Sequence, residues 1–338
     1  MINIYIKSLN RPLFLDRCLW SIHKKVKNFD KIIILDDGTP QHFLDEIKSK
    51  YPHVNIEKSE FYNEKSQMIS QNTVDVSKFK FPGAFWSREI SGSNHDYNLV
   101  IEDDMYFVHV VDLEEVRIFM ANNNLVFHKF LWAQNENLNK GTIISGRNDH
   151  EIIKPDILTS NPGTYRLIVE NKFFHLSALA LMGLYFRYYI NFALKYYTIY
   201  VVAGAIYRKD YFNYIWNDIA KLNESEQIAK TLEFYKKTNT KIVAGKSKTE
   251  FIKQSFLTSA TNECKNITTS IFEINRILNV GWLNGDIDPY KDFPGDFRMS
   301  EMKPLFDKHD KSGKVYNDWL KWYDWVVTGY SKIGQKFE

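Results

Sequence analysis

Two stretches of the chain run a short apolar segment straight into carboxylates, and no other feature narrows the fold as much. One is Ile32-Ile33-Ile34-Leu35-Asp36-Asp37-Gly38-Thr39; the other is Leu99-Val100-Ile101-Glu102-Asp103-Asp104-Met105-Tyr106-Phe107. Short apolar runs of this kind suit strands buried on both faces. The acids then fall at the strands' C-terminal ends, where open α/β sheets bind their ligands. Three adjacent carboxylates repel one another, so a fold that gathers them usually has a cation to offset the charge. Hard oxygen ligands point to Mg²⁺ or Mn²⁺, which commonly hold one or two carboxylates together with a substrate's phosphates. Taken alone, the triplet is explained equally well as a solvated acidic turn.

The surrounding pattern favours the sheet. Ile2 to Ile6 alternates as a strand, Lys7 to Arg11 breaks it, and Pro12 suits the first turn of a helix with Leu13, Leu15, Leu19, Trp20 and Ile22 at helical spacing. Phe43 to Lys50 reads as a second helix and His53 to Glu57 as a third strand. This alternation predicts a doubly wound parallel α/β sheet. Further along, the pattern predicts a helix over 113–120, a helix or strand over 126–131 and a short strand over 141–148. It then predicts a loop over 149–172, a helix over 213–236, a strand over 242–245 and a glycine- and acid-rich loop over 280–298. A chain of 338 residues has room for one such domain with an appended lobe.

Composition excludes several classes. A net charge of +3, with no basic stripe, argues against a nucleic-acid partner. Cys18 and Cys264 form neither a zinc spacing nor a disulfide framework, which predicts a reducing compartment. Residues 1–10 read as a strand rather than a leader. Asn266-Ile267-Thr268 reads as an unused glycosylation sequon, His309 as a solvated histidine, and Asp286-Ile287-Asp288 lacks the ligand spacing of an EF-hand. There is no Gly-rich phosphate loop and no nucleophile elbow.

The stretch Ile32 to Thr39 resembles the second-strand motif of family-2-type glycosyltransferases with the GT-A fold, and Glu102-Asp103-Asp104 resembles their metal-binding acidic motif. The spelling Val-Ile-Glu-Asp-Asp-Met is also similar to the Glu-Asp-Asp motif of the N-acetylglucosaminyltransferases that begin complex N-glycan branching. The resemblance implies a Rossmann-like, mostly parallel sheet flanked by helices over 1–245. Residues 1–110 would form the nucleotide-sugar half, 111–245 the acceptor half, and 246–338 a C-terminal helical and loop extension. It implies a hexosyl- or N-acetylhexosaminyltransferase that moves a sugar from a nucleotide-sugar, by family expectation a UDP-sugar, to a hydroxyl of a glycan or glycolipid with inversion.

Each position then acquires an implied role. Asp36 or Asp37 would bind the base, and Ser8 and Arg11 would lie near the ribose or phosphates. Arg88 would face the pyrophosphate, where an arginine's planar fork suits phosphate oxygens. Asp104, with Glu102 or Asp103, would anchor Mn²⁺ or Mg²⁺, and Asp103 would also lie against the donor. A base must take the acceptor hydroxyl's proton, but strict register puts Ser225 where the family has its aspartate. Glu224, Glu226 and Asp218 are the remaining candidates. That departure keeps open a catalytically inactive glycan- or partner-binding protein. A sugar nucleotidyltransferase is the other alternative, opposed by the lack of glycine in residues 7–12.

The run from Phe173 to Tyr207 is almost wholly apolar and aromatic. It reads as a buried hairpin, or helix plus strand, rather than a membrane span. Its end, with the stretch to Phe212, resembles the small-residue turn and helix lining the family's acceptor side. Near the C-terminus, Tyr316, Trp319, Trp322, Tyr323, Val326 and Tyr330 are flanked by Lys314, Lys321, Lys332 and Lys336. This suits an interfacial helix making peripheral membrane contact and a helix docked on the domain equally well. The expected location is cytoplasmic, at the inner face of the membrane.

Overall fold

The computed structural model describes residues 1–169, 193–217, 223–264 and 267–337. The fold is α/β, and the chain divides into two compact units. One comprises residues 1–3, 83–100 and 112–251, the other residues 4–82, 101–111 and 252–338. Residues 252–338 pack in one unit with residues 4–82 and 101–111.

That second unit begins with the predicted parallel strands. Asn3–Ser8 pairs with Ile32–Asp36 in a register running from Ile4 opposite Ile32 to Ser8 opposite Asp36, and Ile32–Asp36 pairs in parallel with Asn55–Lys58. Strands of one direction end together, so Ser8 and Asp36 finish side by side. A separate antiparallel pair joins Met105–Phe107 to Ile252–Gln254. It brings a segment from late in the chain beside the acidic turn.

The helix Pro12–Lys25 explains why the C-terminal segment belongs here. Pro12 opens it, and His23, Lys24 and Lys25 close it against the negative end of the helix dipole. Ten of its residues are buried, including Asp16 and Arg17, so it is enclosed on nearly every side and two adjacent charges go inside with it. Buried charges need partners. Asp16 accepts from Tyr51 Oη (2.6 Å), Trp282 Nε1 (2.8 Å), Lys50 Nζ (2.8 Å) and Tyr290 Oη. Arg17 donates to the carbonyls of Pro289 (2.9 Å) and Gly295, and its guanidinium lies 4.3 Å from the Tyr106 ring centre. Residues 282–295 are thus tied to this helix by polar groups of both signs.

The C-terminal helix Lys314–Ser331 is docked in the same unit. Trp319 Nε1 donates to Leu257 O (2.9 Å), Trp322 Nε1 donates to Asn262 O (2.8 Å), and Asp318 accepts from Thr268 and Thr269. Two of the tryptophans that suggested an interfacial helix are therefore buried in the protein. Among the described residues, no helix is long and apolar enough to cross a membrane.

In the first unit the strand order is Tyr97–Glu102, Ala205–Arg208, Phe127–Lys129, Ala244–Ser247, His150–Pro155, Gly141–Arg147. The Phe127–Lys129 and Ala244–Ser247 pair is parallel, and the other four pairings are antiparallel. Gly204 turns the chain into Ala205–Arg208 at φ +78°, where a Cβ would collide with Leu131. The small-residue turn expected there is present.

Residues 149–172, expected to be a loop, contain the strand His150–Pro155 and the helix Pro162–Ile168. Pro162 is a helix starter, with Asn161 capping Thr164 N (3.1 Å). The helix expected over 213–236 is two helices, Lys209–Trp216 and Glu224–Thr238, the second capped by Asn223. The middle of the apolar run, 170–192, lies outside the described residues, as does Asn266 of the sequon.

Replacing Asp16 by alanine leaves the buried Tyr51 and Trp282 donors and the half-buried Tyr290 donor short of an acceptor. It is expected to cost about 3–5 kcal/mol of folding stability, read as a lowered urea midpoint. Asp324→Ala, at an exposed position of the last helix, should change it by less than about 0.5 kcal/mol. Equal effects of the two would show that the Asp16 cluster does not hold the unit together.

Candidate functional site

The candidate site lies within the unit formed by 4–82, 101–111 and 252–338, at the strand ends. Backbone bonds set the frame. Asp37 N donates to Ser8 O and Asp103 N to Lys7 O, both at 3.0 Å, so the two acid-ended stretches flank the end of the first strand. The loop after that strand is locked through Asn10, whose φ of +54° turns the chain. Its N–H donates to Thr39 Oγ1 (2.8 Å), and Asn279 Nδ2 donates to its carbonyl (2.9 Å). Arg11 follows immediately and caps the buried helix without a side-chain cap of its own.

Arg11 is buried between acids. Its Nη1 donates to Asp104 Oδ2 at 2.8 Å and its Nη2 to Asp103 Oδ1. Asp103 Oδ2 accepts from Leu9 N (3.2 Å), and Asp104 Oδ2 also accepts from Gln254 Nε2 (3.2 Å). The third acid, Glu102, pairs with the buried Lys7 at 2.9 Å. Burial raises the carboxyl pKa of Asp103 and of Asp104, and the Arg11 guanidinium opposes it. For Glu102 burial also acts upward, but Lys7 and Arg11 outweigh it and hold the group below the usual carboxylate range.

The Asp36–Asp37 pair divides its work. Asp36 Oδ1 accepts from Gly38 N (3.0 Å) and Thr39 N (2.8 Å), and Oδ2 from Thr39 Oγ1 (2.6 Å). Burial nevertheless pushes its pKa up to about 6. Asp37 accepts one bond on each oxygen, from Ser59 Oγ (2.6 Å) and from the buried Lys65. Its pKa is raised by burial, against the pull of Lys65. Gly38 is required here, because a Cβ at φ +146° would sit 2.6 Å from the Lys65 Cβ.

A divalent cation has one evident anchor. Asp104 Oδ1 is buried and accepts no hydrogen bond, so it is a carboxylate oxygen open to a cation. Among the described residues, no group of three or more His, Cys, Asp and Glu side chains is arranged to hold a metal. The open oxygen of Asp104 suits an ion that takes one carboxylate and a ligand's own oxygens, as Mg²⁺ and Mn²⁺ often do.

No family model matches the chain, and no curated protein does. Solved structures do. A Staphylococcus aureus TarS fragment, residues 1–349, aligns at 12% identity and TM-score 0.39 over 91% of this chain and 71% of its own. A longer TarS structure gives the same identity and TM-score, and there the chain spans 43% of its length. Glucosyl-3-phosphoglycerate synthase from Mycobacterium tuberculosis, in complex with Mn²⁺ and UDP-glucose, aligns at 11% identity and TM-score 0.37 over 73% of this chain and 68% of its own.

The remaining candidates from the sequence lie in the other unit. Arg88 is exposed on the helix Gly83–Ser91 and paired with Glu89 at 3.0 Å. Glu226 is held by Arg166 at 2.7 Å, and that arginine also pairs with Glu233 (2.6 Å). Glu224 accepts from Tyr197 Oη, and Ser225 Oγ lies 3.1 Å from Tyr165 Oη. Asp218 lies outside the described residues.

The sequence reading missed Lys7, Lys65, Thr39 and Gln254. Lys7 carried a usable signal, since it extends a buried strand directly into the site loop. Gln254 carried none, because only strand pairing brings it to Asp104.

The raised pKa of Asp36 has a defined consequence. A carboxyl with an ordinary value of 3.8 unfolded and about 6 folded contributes stability that is full below 3.8 and is lost as pH rises through about 6. Asp36→Asn removes this titration. The stability of the wild type relative to the variant should therefore fall from about pH 4 to about pH 7, as measured by urea midpoints. Parallel pH profiles would show that Asp36 does not titrate in this window.

Proposed function

We propose that the chain is a GT-A-type glycosyltransferase that uses a nucleotide-sugar donor, by the resemblance a UDP-sugar, with Mn²⁺ or Mg²⁺. One observation carries the reading. Two acid-ended strands finish around a buried arginine, at the strand ends where α/β sheets bind nucleotides, and one carboxylate oxygen there is left without a donor.

On this reading Asp104 holds the cation through Oδ1, with Glu102 and Asp103 supplying further negative charge. The cation, when bound, offsets charge on the departing nucleoside diphosphate. Asp37 binds the base. A carboxylate has about four lone-pair sites; Asp36 spends three inside its own turn, whereas Asp37 spends two. Ser8 and Arg11 face the ribose and phosphates.

The acceptor, a hydroxyl of a glycan or glycolipid, is deprotonated by Glu224. Glu226 is less suited to this because its carboxylate accepts from Arg166 on both oxygens. The reaction inverts the anomeric centre. An inactive binding protein is the second reading, favoured by Ser225 at the position of the family's aspartate.

Two measurements test this. A thermal-shift screen of nucleoside diphosphates and nucleotide sugars, each with and without Mn²⁺, should show one nucleotide raising the melting temperature only when the metal is present. Ligand at 100 times its Kd contributes about 2.7 kcal/mol, and Asp104→Ala should lose the shift. No shift with any nucleotide would overturn the donor assignment. In that nucleotide's sugar form, Glu224→Gln should cut turnover at least about 100-fold while leaving the thermal shift in place; unchanged turnover would remove Glu224 as the base.

A further inference from the structure

We propose that Arg11 is the resident counter-cation of the acidic cluster and gives way to the donor's divalent cation, so that metal and nucleoside diphosphate bind as a pair. This rests on the donor reading above and adds to it a rule about which ligands can enter, and when.

The pairing inside the cluster is incomplete on both sides. An arginine usually engages one carboxylate with both arms of its fork, satisfying both oxygens at once. Arg11 instead splits its fork, one nitrogen to Asp103 and one to Asp104. Its Nε is buried without an acceptor, and Asp104 Oδ1 is buried without a donor. The guanidinium keeps capacity for an anion, and the carboxylate keeps capacity for a cation. A diphosphate carrying a divalent cation supplies both.

Charge then sets the coupling. Glu102, Asp103 and Asp104 face Lys7 and Arg11, three formal negative charges against two positive. A divalent cation arriving alone at Asp104 meets the Arg11 guanidinium. Pushing it off the carboxylates would strand a buried positive charge, which is strongly unfavourable. A diphosphate arriving alone brings more negative charge to a cluster that holds three acids and two bases. When both arrive, Arg11 leaves the carboxylates for phosphate oxygens, which its fork fits, and every charge keeps a partner. Each ligand therefore raises the affinity of the other by the same factor. Asn10, immediately before Arg11, is fixed by Thr39 and Asn279, so the backbone that carries Arg11 is held in place.

The test measures Mn²⁺ binding to the full chain by titration calorimetry, alone and with UDP, for the wild type and for Arg11→Met, which keeps the length of the side chain without its charge. For the wild type, Mn²⁺ alone should bind at least tenfold more weakly than Mn²⁺ with UDP. For Arg11→Met, Mn²⁺ alone should bind at least tenfold more tightly than to the wild type, while UDP affinity in the presence of Mn²⁺ falls at least tenfold. A variant that binds Mn²⁺ alone no more tightly than the wild type overturns the exchange.

Should Arg11→Met not fold, the wild type decides: Mn²⁺ affinity unchanged by bound UDP overturns the proposal, and a tenfold gain supports it. The two readings separate cleanly. UDP binding with unchanged Mn²⁺ affinity in the variant defeats the exchange and leaves the donor site standing. Tighter Mn²⁺ binding in the variant, with no nucleoside diphosphate bound by either protein, supports Arg11 as counter-cation and defeats the donor reading.

Discussion

Carboxylates gathered at the ends of buried strands must be neutralised without water, and the site is arranged around that requirement. Asp103 and Asp104 lie where the solvent cannot screen them and Glu102 is half-buried beside them, and each is met by a fixed positive group or an N–H. Lys7 takes Glu102, Arg11 takes both aspartates, and Leu9 N and Gln254 add hydrogen bonds. Asp37 repeats the solution with Lys65, and Asp36 with the dipoles of its own turn. A cluster held this way keeps its carboxylates in fixed positions before any ligand arrives, which spares the cost of ordering them later.

The same rule reaches through the helix that begins beside Arg11. Because Pro12–Lys25 is buried nearly all round, Asp16 and Arg17 cannot be solvated, and the groups that satisfy them come from Tyr51, Trp282, Tyr290 and the carbonyls of 289 and 295. Late residues of the chain thereby support the element that carries Arg11. Gln254 and Asn279, also late in sequence, reach Asp104 and Asn10 directly. Chemistry written in the first 104 residues is thus held in place by residues 254–295.

Much of the site was legible because apolar strand plus acid is a local pattern. The strands ending at Asp36 and Glu102 follow from runs of consecutive residues, and so does the helix opened by Pro12, whereas the first strand runs on to Ser8, two residues past the end read at Ile6. Where the reading departed from the structure, local signals competed. Pro162 marked a loop in sequence, yet it opens a helix because Asn161 caps it. The aromatic C-terminal helix could face a membrane or the protein, and Leu257 and Asn262, distant in sequence, supply the acceptors that bury two of its tryptophans. Glu224 and Glu226 look alike on one helix turn, and their partners, Tyr197 for the first and Arg166 for the second, come from elsewhere in the chain.

By itself the sequence determined the α/β alternation, the acid-ended strands and the identity of the residues that can carry charge there, because strand periodicity and turn chemistry act over a few neighbours. Only the tertiary structure decided which cation meets which carboxylate. Lys7, Arg11 and Lys65 are three of forty-four basic residues, and of these only Lys7, which extends a buried strand, carries a local mark that it goes inside. Burial removes the water that would otherwise make every such pairing nearly equal in energy, so the choice belongs to the packed fold.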